Sequence, residues 1–221
     1  MSASMNLALG NLNKQWGVCG FTSTFYAMYR ANPAARGWLV NASEVYSVLY
    51  EISDYLKALQ AAQSPLLNDI TDFTRSFGPP YHQFDVPSYI NMIDTASEYT
   101  RQILAGGNES HRKSNEAALT GYSLFGIAMP PQAVADYIER MWKWKATIIE
   151  FGAGSFAGDA IVGVRNPADT TMTKYHGLCH YLYRGGGTYY SWGDEFPSLE
   201  AAANSVKSTY AICYAITIRK Y

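Results

Sequence analysis

Apolar residues recur at helical spacing through the first two thirds of the chain, then in short β-branched or aromatic runs after Trp144. From Cys19, the positions Phe21, Phe25 and Met28 predict an amphipathic helix that ends before Pro33. In "NASEVYSVLYEISDYLKALQAA", Val45, Val48, Leu49, Ile52, Leu56 and Leu59 form one stripe. Asn41 and Glu44 have the spacing of a capping box before it. Ser64 as cap, Pro65 at the first helical position and Gly78 as stop bracket a third helix. A fourth covers Ser88 to Leu104 and is ended by Gly106 and Gly107, after which "GGNESHRKSNE" reads as an exposed loop. Pro131 opens a fifth helix through Val134, Ile138 and Met141.

The runs "KATIIEF", "AIVGV", "LCHYLYR", "TYYSW" and "YAICYAITI" read as strands between glycine-rich turns. One short helix, from about Ser198 to Lys207, interrupts them. Helices followed by antiparallel strands predict an α+β fold. The chain is expected to form one domain over 1–221, with a mainly helical lobe over 1–144 and a mainly β lobe over 145–221 meeting in a cleft.

Composition narrows the function. With 48% hydrophobic and 16% charged residues the chain is globular in type rather than disordered. A net charge of −1 without a basic run argues against nucleic acid as partner. No stretch approaches the roughly 18 apolar residues of a spanning helix, so membrane insertion is not expected. The first 16 residues lack the basic start and apolar length of a secretory signal. The expectation is therefore a protein that is cytoplasmic where it is made, with any export by a specialised system. Three cysteines, Cys19, Cys179 and Cys213, leave at least one free thiol and form no CxxC pair.

Two segments at opposite ends carry complementary chemistry. Cys19 is followed by Gly20 and opens a helix, where the helix macrodipole favours a thiolate. Gly20 gives a ligand room to approach the backbone, and Gln15 together with the Cys19 N–H can bind a developing oxyanion. The second segment is "GLCHYLYRGGGTYYSWGDEF", with His180 sharing a strand face with Leu178 and Leu182. A loop of Gly185, Gly186 and Gly187 pairs Arg184 with Thr188 and sets His180 opposite Trp192. Asp194 is then diagonal to His180 at roughly 7–8 Å. A four-residue loop sets Ser191 opposite His180 instead. His176, Cys179 and His180 are ligand types, but on a strand the two histidines lie about 13 Å apart, too far to share one ion. No metal and no organic cofactor is expected. "GAGSFAGD" is similar to a phosphate-binding loop but lacks its lysine and hydroxyl residue, and is expected to be a hairpin connection.

A cysteine and glycine opening a helix, a later histidine on a strand and an acidic residue near "SWG" resemble the papain-like cysteine peptidase superfamily. "CGFTSTFYAM" is also similar to the Cys-Gly-x-Thr-Ser start of bacterial bacteriocin-processing peptidases. The resemblance covers these two windows of the chain. It implies a papain-like fold with Cys19 as nucleophile, His180 as general base, Asp194 as orienter, Gln15 as oxyanion donor and Trp192 as a shield over the histidine. Plant-type members carry asparagine directly before "SWG", where this chain has Tyr190, and a papain-style alignment can place Thr22 at the nucleophile position. The implied activity is hydrolysis of peptide or amide bonds through a thioester, in a bacterial effector or toxin acting on a protein or peptide. The same triad serves a glutamine or asparagine deamidase or an acyl transferase, and a catalytically dead papain-like binding module is the alternative of another class.

Overall fold

The structure, a computed structural model, describes residues 9–10, 12–13, 17–31, 47–79, 81–104, 126–151 and 156–220. Gln15, the capping pair Asn41 and Glu44, and the loop after Gly106 lie outside the described residues.

Six α-helices are found among the described residues. α1 (Cys19–Ala31) buries Phe21, Phe25 and Met28, and α2 (Ser47–Ala61) buries Val48, Leu49, Ile52, Leu56 and Leu59, as their spacing requires. α3 (Leu66–Arg75) is entered through Ser64, whose Oγ accepts the Leu66 N–H at 3.4 Å. α4 (Val86–Leu104) begins two residues before the expected Ser88. Asp85 is its cap, with Oδ1 accepting the Ser88 N–H at 2.8 Å, so Pro87 falls in the first turn, where its missing N–H costs nothing. α5 (Pro131–Trp142) stops at Lys143, which takes a left-handed φ of 57°. Ser198 caps α6 (Leu199–Ser205) by accepting the Ala201 N–H at 3.1 Å.

The six strands are β1 (Lys145–Glu150), β2 (Ala160–Arg165), β3 (Leu178–Gly185), β4 (Thr188–Ser191), β5 (Asp194–Phe196) and β6 (Ala211–Arg219). They form one antiparallel sheet in the order β1-β6-β2-β3-β4-β5. β5 was not expected from the sequence, because three residues, Asp-Glu-Phe, are too few to show an alternation. One face of the sheet, through Ile161, Tyr181, Tyr183 and Ile216, shares a core with the helices. The other face, through Val162, Val164, Leu182 and Ala215, packs on Ala202 of α6. Trp144 is buried in the larger core, and Trp142 packs edge-on against Phe25. Among the described residues, no helix is long and apolar enough to cross a membrane.

Two details of the sheet correct the expected geometry. The β3–β4 turn has two residues rather than three: Gly185 pairs with Thr188, and Gly186 and Gly187 make the turn at φ 58° and 83°. Left-handed values at both positions give the two-residue turn whose twist matches that of the flanking strands. A second two-residue turn follows, with Trp192 and Gly193 at φ 54° and 91° between the paired Ser191 and Asp194. In addition, β3 bulges at Cys179, between the pairs Val164↔His180 and Arg165↔Leu178. The extra residue sends Leu178 to the helical core and Leu182 to the other face, so the two do not share a face as the plain alternation predicts.

Candidate active site

Cys19 is the first residue of α1. Val18 precedes it, and its carbonyl accepts the Phe21 and Thr22 N–H groups at 3.0 and 2.9 Å. Gly17, two residues before the helix, is held on both sides: its N–H donates to Asn13 O at 2.8 Å, and the Ile127 N–H donates to its carbonyl at 3.2 Å. That arrangement also explains Gly20. A Cβ there would stand 3.0 Å from Met129 Cβ, so the room at Gly20 is taken by the 126–130 segment and not by a ligand. The Thr22 hydroxyl turns back onto its own helix, toward Val18 O and Cys19 O, and Thr22 does not line the cavity described below.

His180 comes from β3, immediately after the bulge at Cys179. Its Nε2 lies 2.9 Å from Ser191 Oγ, and its ring is stacked on Trp192 at 4.5 Å with 3° between the planes. The left-handed backbone at Trp192, unusual for a bulky residue, accompanies this stack. Tyr210 stands 6.2 Å from the imidazole. Asp194 is exposed and sits across β4 from Ser191. The histidine is therefore held by Ser191, which the register Tyr183↔Tyr190 sets diagonal to it rather than opposite, while Asp194 is turned to solvent.

Cys19 and His180 open onto the same cavity, of about 360 Å³. No hydrogen bond joins the Cys19 sulfur to the imidazole among the described contacts. Cys19 keeps part of its surface open, but the protein packed around the sulfur pushes its thiol up to about 11, against weaker opposing hydrogen bonds from the Tyr181 and Gly20 backbone. Burial also pushes His180 down to about 3. The thiolate expected at a helix N-terminus is thus not the resting form, because desolvation outweighs the helix dipole. The site rests as a thiol beside a neutral imidazole.

Asn13 is a lining residue that sequence reasoning missed. It is buried, and its Oδ1 has no hydrogen-bond partner. Nothing in "GNLNKQW" distinguishes it from a surface asparagine; only the fold turns it inward. Trp192 Nε1 is buried without a full hydrogen bond, yet is near enough to the Tyr210 hydroxyl to favour that group's ionised form against its burial. Cys179 also lines the cavity, its Sγ 3.4 Å from Val164 O, and Cys213 is buried with its Sγ 3.4 Å from Gly163 O. His176 is paired with Glu150 at 3.7 Å, and no group of three metal-ligand side chains occurs among the described residues.

No protein-family model, no curated protein and no solved structure matches the chain.

Proposed function

We propose that the chain is a cysteine-dependent hydrolase of peptide or amide bonds, with a papain-like arrangement of nucleophile and base. One observation carries the reading: Cys19 at the start of α1 and His180 on β3, from opposite ends of the sequence, open onto one cavity.

Because Nε2 is engaged by Ser191, Nδ1 is the ring nitrogen left for the thiol proton. Nδ1 must then be the bare nitrogen, so the Nε2–H donates to Ser191 Oγ. Both partners rest neutral, so the proton leaves Cys19 as the sulfur attacks the carbonyl carbon, not before substrate arrives. The developing oxyanion meets the N–H groups of Cys19 and Gly20, the amides at the start of α1 that have no intrahelical partner. The imidazolium gives its proton to the leaving amine. Water, deprotonated by His180, then attacks the thioester and releases the acid. Trp192 fixes the plane of the ring and covers one side of it. Ser191 positions the ring but, being neutral, adds little charge stabilisation to the imidazolium.

A second reading, a papain-like binding module without catalysis, is favoured by the neutral thiol and the missing sulfur–imidazole hydrogen bond. p-Nitrophenyl acetate followed by intact and peptide mass measurement separates the two. The hydrolase reading expects one acetyl group on Cys19, formed about 100-fold more slowly in His180→Ala and about tenfold more slowly in Ser191→Ala. Acetylation of Cys19 at the same rate in wild type and His180→Ala, and no faster than that of Cys179, leaves only the binding module.

A further inference from the structure

The cavity is walled in part by the loop after β2. Asn166 and Asp169 of that loop line it together with Phe77, Tyr81, Trp192 and Tyr210. Among the described lining residues, Asp169 is the one side chain charged at neutral pH, since His180 is held neutral by burial. Its carboxylate is fixed in place: Oδ1 accepts the Thr171 N–H at 2.9 Å and the Thr171 hydroxyl at 2.6 Å. No ion pair to Asp169 is found among the described residues. Its charge is felt within the cavity, where it opposes ionisation of the Cys179 thiol.

One negative charge on an exposed carboxylate at the cavity, four aromatic rings and no positively charged side chain among the described lining residues are the chemistry that receives an organic cation. Rings offer their negative faces to an ammonium or guanidinium, and the carboxylate adds a charge-assisted partner. We infer that the cavity selects ligands carrying an organic cation, an ammonium or guanidinium group, with Asp169 as the residue that sets this specificity. Calling such a ligand a substrate rests on the hydrolase reading; its binding does not.

Three probes of one shape test this by calorimetry on the full chain: benzylammonium, neutral benzyl alcohol and anionic benzoate. Wild type is expected to bind benzylammonium about tenfold more tightly than benzyl alcohol and to reject benzoate, with the gap shrinking as salt rises. Asp169→Asn keeps the oxygen that Thr171 needs and should bring the first two within about twofold, whereas Asp169→Lys should favour benzoate and Glu200→Gln, on α6, should change nothing. Cys19→Ala should bind like wild type, so that loss of catalysis and loss of cation selectivity are read separately. Equal binding of the three probes, no binding of benzylammonium, or a preference that Asp169→Asn leaves intact overturns the inference.

Discussion

The imidazole of His180 lies buried at the wall of the cavity. Its base strength is set by what surrounds it: Trp192 against one face, Ser191 on Nε2, and almost no water. An acidic partner would offset the loss of hydration on protonation; a hydroxyl offsets little of it. That difference has a measurable consequence for stability. The unfolded chain protonates this histidine near its ordinary 6.5, the folded chain only at about 3. Between those values the unfolded state binds more protons, so stability falls as pH falls from 6.5, by at most about 1.4 kcal/mol per pH unit from this group, and is indifferent to it above 6.5. Urea midpoints between pH 4 and 8 should fall less steeply on the acid side in His180→Gln than in wild type. Equal slopes would mean that the imidazole is hydrated in the folded state.

At the scale of elements, the β3–β4 hairpin is held onto the end of α1 by a clasp around Asp159. Its Oδ1 accepts the Gly186 N–H at 2.7 Å, its Oδ2 accepts the Tyr183 hydroxyl at 3.1 Å, and Arg30 Nε stands 3.4 Å away. Arg30 also donates to the Tyr190 hydroxyl at 3.2 Å. Both members of the ion pair are more than two-fifths exposed, so the charge attraction itself contributes little and the hydrogen bonds carry the effect. Asp159→Ala is expected to cost about 2 kcal/mol and Asp159→Asn about half that, with faster amide exchange at Gly186. A loss under about 0.5 kcal/mol for Asp159→Ala in chemical denaturation would show the clasp to be decorative. The clasp matters to the site because the hairpin it fixes carries His180 on one strand and leads through Ser191 on the other.

At the scale of the whole molecule, the site is assembled from pieces that meet only in the complete fold. Asn13 and Cys19 come from the N-terminal segment, His180, Ser191 and Trp192 from the hairpins, and Tyr210 from the approach to β6. Gly10 is where the first piece meets the second: a Cβ there would overlap the Gly193 nitrogen and the Trp192 carbonyl carbon, backbone atoms that have nowhere to go. Gly10→Ala should therefore cost about 1–3 kcal/mol, shift Trp192 fluorescence and slow acetylation of Cys19. Gly78→Ala is the matched control. Its φ of 73° strains an alanine, but open space surrounds it, so stability should drop by about 1 kcal/mol with the acetylation rate unchanged. An acetylation rate equally unaffected by Gly10→Ala would separate that contact from the site.

What the sequence determined by itself is local. The α+β order, the buried faces of α1 and α2, the short helix after Ser198 and the positions of β1, β2, β3, β4 and β6 follow from spacing and turn chemistry, which act within a few residues. The helix start at Val86 was off by two residues because Asp85, not Ser88, captures the free N–H. Of the candidate site, the sequence offered the residue types Cys19 and His180, Trp192 over the imidazole and Ser191 as an alternative to Asp194. Tertiary structure decided the rest. The turn at Trp192 and Gly193 carries Asp194 onto β5 and leaves Ser191 against His180, a bulge at Cys179 changed which face each β3 side chain takes, and only the fold turns Asn13 inward. Burial then reversed the expected ionisation of the thiol, since the density of protein around a sulfur belongs to the fold and not to any stretch of sequence.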